Sequence, residues 1–384
     1  MSQSSFQIFM AQTRSGESRW WSWVIGFWFA LVIWFYGQII LGVLMVGVAV
    51  VTDPGVMDNL MATEQANTTF DPGQALLSLL LGLSPILPII LWLVRDAFKT
   101  IWTQRIAIGI SALILAGTSA AFIQGNMNIP EGSADYTSQL IASHPLQYAL
   151  ILATFPVLAL ALWGTQKFIH RRTFLSLLTA AKRFRWKRMG FAMLVVWVIL
   201  GVITYLSHVT GINTAEIVFN PSRFWMYLPV TLLFIPLQSA TEEIAVRGYL
   251  NQGIGHFIKN PWIVFFITSA AFAALHLGNP EIAESTKETS LLIAISGYFF
   301  FGFFACVLTY IDGGLESAIG LHAANNMFAA CIVGYDNSAL PTPTIFKIGL
   351  DTQLDSLTVL VAFSLVCLIM YKTRTLFERV ERVE

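Results

Sequence analysis

Long uninterrupted apolar runs recur along the whole chain and are separated by shorter polar segments. Because a bilayer core is about 30 Å thick, a run of roughly 18 or more apolar residues is long enough to cross it as a helix. The pattern predicts ten spans, at residues 23–51, 75–94, 101–123, 146–165, 190–208, 224–243, 261–277, 291–310, 316–334 and 355–371. We therefore predict an all-α fold, a polytopic bundle of transmembrane helices.

The composition agrees with a membrane protein. Of the 384 residues, 56% are hydrophobic and 11% are charged, whereas about 25% are charged in a typical soluble protein. The formal net charge is zero, so nothing indicates nucleic acid as a partner. The cysteines Cys306, Cys331 and Cys367 lie within apolar runs and are expected to pack as small hydrophobic residues. The first apolar run is too long for a cleavable signal.

Lysine and arginine are distributed unevenly between the predicted loops. They are frequent in both termini, in 95–105 and in 166–188, but absent from 52–74 and 125–145. Cytoplasmic loops carry the excess of basic residues, and the two sets alternate as ten spans require. We therefore predict that both termini are cytoplasmic.

These features divide the chain into four predicted regions. They are an N-terminal region of four spans (1–165), a basic cytoplasmic loop (166–189), a core with the polar motifs described below (190–334), and a last span with its tail (335–384). The basic loop also contains apolar residues, so two interpretations stay open. It lies as an interfacial helix against anionic lipid, or it is a solvated loop.

The first polar intrusion into the apolar pattern is the pair Glu242-Glu243, followed by Arg247. A charge at the centre of a membrane helix costs about 2.5–3.5 kcal/mol on insertion scales, which makes it a functional candidate. Glu243 and Arg247 are four residues apart and can pair on one helix face, while Glu242 points about 100° away. The spacing favours one structural and one reactive carboxylate, although an ordinary ion pair at a helix end gives the same pattern.

Two more intrusions follow, namely Phe272 with His276, and His322 with Asn326. His276 ends a predicted span, where a satisfied interfacial histidine is the alternative. His322 and Asn326 share one helix face, where hydrogen bonds between helices also explain them. Taken together, the three motifs supply a general base and donors for a tetrahedral oxyanion, which peptide hydrolysis by water requires.

In their order and spacing, these motifs resemble the CPBP family of intramembrane endopeptidases, which includes CAAX prenyl proteases and bacteriocin-processing (Abi) enzymes. The family pattern Glu-Glu-x-x-x-Arg, Phe-x-x-x-His and His-x-x-x-Asn is complete here, and the resemblance covers roughly 170–330. It implies that Glu242 and His276 activate a water and that His322 and Asn326 stabilise the oxyanion. Glu243, Arg247 and Phe272 would support the site, and the partners would be membrane lipid and a peptide or lipidated protein substrate.

Three questions stay open at this stage. Glu242, His276 and His322 together fit a catalytic zinc site, but no His-Glu-x-x-His is present, and we favour a metal-free glutamate mechanism over a metalloprotease. If a span ends at Glu243, then Glu242 and His276 lie at different depths, unless helix 242–257 continues or Asn251–Asn260 re-enters the bilayer. A non-catalytic protein of the same fold (immunity or scaffold) and a transporter are the alternative functions.

Overall fold

The computed structural model describes residues 4–52, 86–111 and 141–377. The chain divides into two compact units, one formed by Met1–Arg14 with Thr173–Glu384 and the other by Ser15–Arg172. The α-helices with both ends described are α1 (Ser5–Ala11), α2 (Trp20–Thr52), α3 (Ile86–Val94), α4 (Pro145–Leu152), α5 (Thr154–Gly164), α6 (Leu175–Leu178), α7 (Trp186–Val209), α8 (Pro221–Glu243), α9 (Asn251–Phe257), α10 (Pro261–Leu275), α11 (Pro280–Ser285), α12 (Leu291–Asp312), α13 (Glu316–Met327) and α14 (Thr352–Lys372). Residues 101–111 are also helical, up to the edge of the described range.

Within the described residues, six helical segments are long and apolar enough to cross a bilayer, and they are Trp20–Thr52, Pro145–Ile169, Trp186–Val209, Pro221–Phe257, Leu291–Asp312 and Thr352–Lys372. They coincide with six predicted spans and confirm the all-α polytopic bundle. The predicted spans 261–277 and 316–334 correspond to the shorter helices α10, of 15 residues, and α13, of 12 residues. Spans 75–94 and 101–123 lie partly outside the described residues, so the number ten stays a prediction.

In the unit Ser15–Arg172, α2 packs against α3, α4 and α5. Polar side chains inside this apolar unit bond to helix carbonyls. Gln147 Nε2 donates to the Met45 carbonyl at 3.0 Å, and Thr165 Oγ1 donates to the Gly26 carbonyl at 3.3 Å. In an apolar surrounding, such internal partners remove the cost of an unsatisfied polar group.

In the other unit, α13 lies at the centre. All of its residues except Asn325 and Asn326 are buried, and it packs against α7, α8 and α12. Small residues allow this close packing between membrane helices. At Gly320 an added Cβ would lie 2.5 Å from the Met189 carbonyl oxygen, so α7 and α13 approach at backbone distance.

Part of the second half of the basic loop packs into this interior. Leu177 is fully buried in α6, and the Leu178 carbonyl accepts from Leu315 N at 2.7 Å. Arg185 pairs with Glu316, and Arg188 pairs with Asp312, each at 2.8 Å and with little exposure. The remaining basic residues of this half are exposed, and they are Lys182, Arg183 and Lys187.

The one sheet in the described residues has three two-residue strands. They are β1 (Glu216–Ile217), β2 (Val333–Gly334) and β3 (Phe346–Lys347), in the order β1-β3-β2. Strand β3 pairs antiparallel with β1, with Glu216 opposite Lys347, and parallel with β2, with Val333 opposite Phe346. The sheet joins the segment before α8 to the segments between α13 and α14.

Candidate active site

The two glutamates lie in the middle of a long helix and not at its end. Helix α8 continues through a π-helical segment, Ile244–Leu250, into α9, so helical structure runs from Pro221 to Phe257. The helix therefore does not end at Glu243, and the alternative that helix 242–257 continues is confirmed. Polar residues after Arg247 lower the hydropathy there, but they have partners within the protein. Asn251 Oδ1 accepts from Thr268 at 2.7 Å, and Gln252 Nε2 donates to the Ser176 carbonyl at 2.7 Å.

This continuity places Glu242 and His276 at similar distances from the turn that joins their helices. The chain turns between Phe257 and Pro261. Fifteen residues separate Glu242 from Phe257, and fifteen separate Pro261 from His276. At about 1.5 Å per helical residue, each side chain lies roughly 22 Å from the turn. The Glu242 carboxylate and the His322 imidazole are both close enough to His276 to interact with it electrostatically.

Glu243 pairs with Arg247, the contact that their four-residue spacing predicts. Its Oε1 accepts from Arg247 Nη1 at 3.1 Å and lies 2.7 Å from His322 Nδ1. Glu243 and Arg247 are fully buried, and His322 is 3% exposed. Because a carboxylate only accepts, the proton of this contact belongs to His322 Nδ1. One carboxylate therefore fixes the ring orientation of His322.

One carboxylate oxygen of Glu242 accepts a hydrogen bond, and the other has no partner among the described residues. Glu242 Oε1 accepts from Gln238 Nε2 at 2.6 Å. Its Oε2 is buried, has no hydrogen-bond partner among the described residues and lies 3.7 Å from His322 Nε2. Glu243 Oε2 also has no partner among the described residues, but the Glu243 side chain is fully buried, whereas that of Glu242 is 16% exposed. Glu242 Oε2 is therefore the better placed acceptor for a reacting water.

His276 lies at the end of α10, directly after the last helical residue. Its Nδ1 lies 2.7 Å from the Phe272 carbonyl. A carbonyl only accepts, so Nδ1 carries the proton and Nε2 is left as the acceptor. The imidazole is therefore oriented as a base, in the form that proton abstraction from water needs.

Asn326 follows His322 by one helical turn and reaches the same site. Its Nδ2 donates to Gln238 Oε1 at 3.2 Å, and its Oδ1 accepts from Asn325 Nδ2 at 3.1 Å. Gln238 thus connects Asn326 to Glu242, a role that the sequence reasoning missed. The sequence places Gln238 four residues before Glu242, on the same helix face, and this spacing indicates a contact between the two side chains.

The Phe272 ring is a common neighbour of the charged and imidazole groups. The Arg247 guanidinium lies 4.4 Å from its centroid, and the rings of His276 and His322 lie 4.5 Å and 6.0 Å away. Arg247 is further confined by α12, because an added Cβ at Gly302 would lie 3.2 Å from Nη2. The close packing keeps the ion pair and both histidines in one arrangement.

The donor set does not form a metal-binding group. Among the described residues, no three histidine, cysteine, aspartate or glutamate side chains are placed to hold a metal ion. Each histidine directs its Nδ1 to an acceptor of the protein, which is the Phe272 carbonyl for His276 and Glu243 for His322, so Nε2 is the ring nitrogen that each keeps for the site. No step below passes through a metal.

Residues 220–328 match the family model described as type II CAAX prenyl endopeptidase Rce1-like. This segment is similar to that family. It begins at the N-cap of α8 and includes all three motifs, so the resemblance seen in the sequence is confirmed at the level of the family. The apolar helices and this family make the chain an integral membrane protein.

The chain is also similar to the uncharacterized protein YyaK of Bacillus subtilis (strain 168). The two are 29% identical over 207 residues, which cover 53% of this chain and 66% of that protein. No solved structure gives a significant match.

Proposed function

We propose that this chain is an intramembrane endopeptidase that hydrolyses a peptide bond in a membrane-associated substrate. The observation that carries the proposal is the uncommitted Glu242 Oε2 beside His322, within a site that His276 also reaches. The Rce1-like family of residues 220–328 supports a lipidated substrate, and a prenylated CAAX-type peptide is the first one to test.

In the first step, Glu242 and His276 activate a water. Glu242 Oε2 and His276 Nε2 are the two acceptors, because Oε1 and Nδ1 are already engaged. The water oxygen attacks the peptide carbonyl carbon, and its proton passes to Glu242. The same proton then moves to the leaving amine as the carbon–nitrogen bond breaks, so the carboxylate is restored.

In the tetrahedral intermediate, His322 and Asn326 face the negative oxygen. Nδ1–H of His322 donates to Glu243, so donation from Nε2 requires the ring to carry both protons. The Glu243 carboxylate, which accepts from Nδ1, is compatible with that positive ring. Asn326 uses one amide N–H for Gln238 and has a second one for the oxyanion. Oriented donors of this kind contribute most where water is excluded.

The test compares two histidine variants of the full chain in proteoliposomes. Wild type and His208→Gln, which changes an exposed histidine outside the site, are expected to release the C-terminal tripeptide from a farnesylated CAAX peptide. His276→Gln is expected to release product at least about 100-fold more slowly, as followed by mass spectrometry. Equal release by both variants contradicts the assigned role. Absence of product from wild type on prenylated and unprenylated membrane peptides favours the non-catalytic alternative.

A further inference from the structure

The imidazole of His276 is held between two aromatic rings. On one side, the Phe272 ring lies 4.5 Å away at an interplanar angle of 44°. On the other side, the Tyr298 ring of α12 lies 4.3 Å away at 25°, which is a stacked arrangement. Together with the bond from Nδ1 to the Phe272 carbonyl, the two rings define the plane of the imidazole.

The hydroxyl of Tyr298 is itself fixed by two residues beyond the family motifs. It accepts from Asn279 Nδ2 at 2.9 Å and donates a short hydrogen bond to Glu281 Oε1. Asn279 Nδ2 also donates to Glu281 Oε1 at 3.0 Å. Asn279 is attached to the histidine through the turn, because its backbone N–H donates to the His276 carbonyl at 3.0 Å. The three side chains form a closed set beside the ring.

Stability alone is a poor explanation for this set. Glu281 is 6% exposed, and its partners are neutral donors, including Ala339 N at 2.9 Å. Among the described residues it forms no ion pair. A buried carboxylate without a cation loses hydration that neutral donors only partly replace.

We propose that Tyr298, anchored by Glu281 and Asn279, is a positioning residue that holds His276 for the peptidase reaction. The ring fixes the imidazole plane, and the anchored hydroxyl fixes the ring, so that Nε2 faces the water shared with Glu242. A small misplacement of a reacting group costs up to about 100-fold in rate. The predicted effect on the reaction rate rests on the proposed function. The predicted effect on the orientation of His276 does not.

The structural consequence is tested without activity, by ¹⁵N NMR of histidine-labelled full-length protein in nanodiscs. His276 signals are assigned with His276→Gln. Wild type is expected to show one tautomer, with the proton on Nδ1, and Tyr298→Leu is expected to show averaged nitrogen shifts. The control is Tyr310→Leu on the same helix, where the ring packs on Phe6 and Trp262. His276 shifts that are identical in wild type and Tyr298→Leu overturn the proposal.

The kinetic consequence is tested with Tyr298→Phe, which keeps the ring and removes the anchored hydroxyl. We expect kcat to fall about tenfold, with KM and the unfolding temperature unchanged, while Tyr310→Phe has no effect. In a His276→Gln background the same substitution is expected to change nothing further. An equal loss in both backgrounds assigns Tyr298 a merely structural role. Full activity of Glu242→Gln would instead overturn the proposed function and leave the NMR result standing.

Discussion

Gln238 and Glu242 lie one turn apart on α8, with Gln238 Nε2 donating to Glu242 Oε1 at 2.6 Å. Because the carboxylate only accepts, this bond fixes the orientation of the Gln238 amide and directs its oxygen to Asn326. One uncharged side chain thereby couples the proposed base to a proposed oxyanion donor. It also leaves Glu242 with a single free oxygen.

Gln238→Met keeps the volume of the side chain and removes both hydrogen bonds. We expect kcat to fall at least about tenfold, because Glu242 loses its orientation and Asn326 loses its acceptor. Initial rates of peptide cleavage measure the effect. Gln353→Met, at an exposed position of α14, is the control. A wild-type kcat for Gln238→Met would show that the coupling is unnecessary.

Removing Arg247 is expected to destabilise the fold. Arg247→Leu leaves the fully buried Glu243 without its ion pair, and breaking such a pair costs about 3–5 kcal/mol. Thermal unfolding in detergent measures the loss. The double variant Arg247→Leu with Glu243→Leu is expected to recover stability but not activity. In this variant, His322 has lost the Glu243 carboxylate that accepts from its Nδ1. An active double variant would contradict the role given to Glu243.

Metal removal is expected to leave cleavage unchanged. The reason is that the proposed step uses only Glu242 and His276 to activate the water, and the described residues contain no group of three side chains placed to hold a metal ion. The assay is repeated after dialysis against 1,10-phenanthroline, with a zinc peptidase treated in parallel as control. Loss of activity that added Zn²⁺ restores would replace the proposed mechanism by a metal-dependent one.

The spacing of residues in the sequence correctly predicted one contact in the candidate site. The four-residue separation of Glu243 and Arg247 is enough to predict their contact, since helix geometry alone brings them together. The position of Glu242 in the middle of a longer helix was not predictable. The helix continues through Asn251 and Gln252, and the residues that satisfy these two polar side chains lie far away in the sequence. Without those partners, the polar residues after Arg247 are typical of a helix end.

Other features depend on contacts between distant segments. Arg185 and Arg188 have the pattern of a positive cytoplasmic loop, but their carboxylate partners lie more than 120 residues later in the chain. Tyr298 falls in an unremarkable apolar run, and only the packing of α12 on α10 places its ring against His276. No local pattern distinguishes these residues from an ordinary loop or span.

The most direct test of the account is the cleavage rate of Glu242→Gln under single-turnover conditions. The amide has almost the same shape but cannot take a proton from water, so we expect a loss of at least about 1,000-fold. Glu284→Gln is the matched control, because that carboxylate is exposed and pairs with Lys287; it should cleave at the wild-type rate. A Glu242→Gln rate within a few-fold of wild type would contradict the central claim.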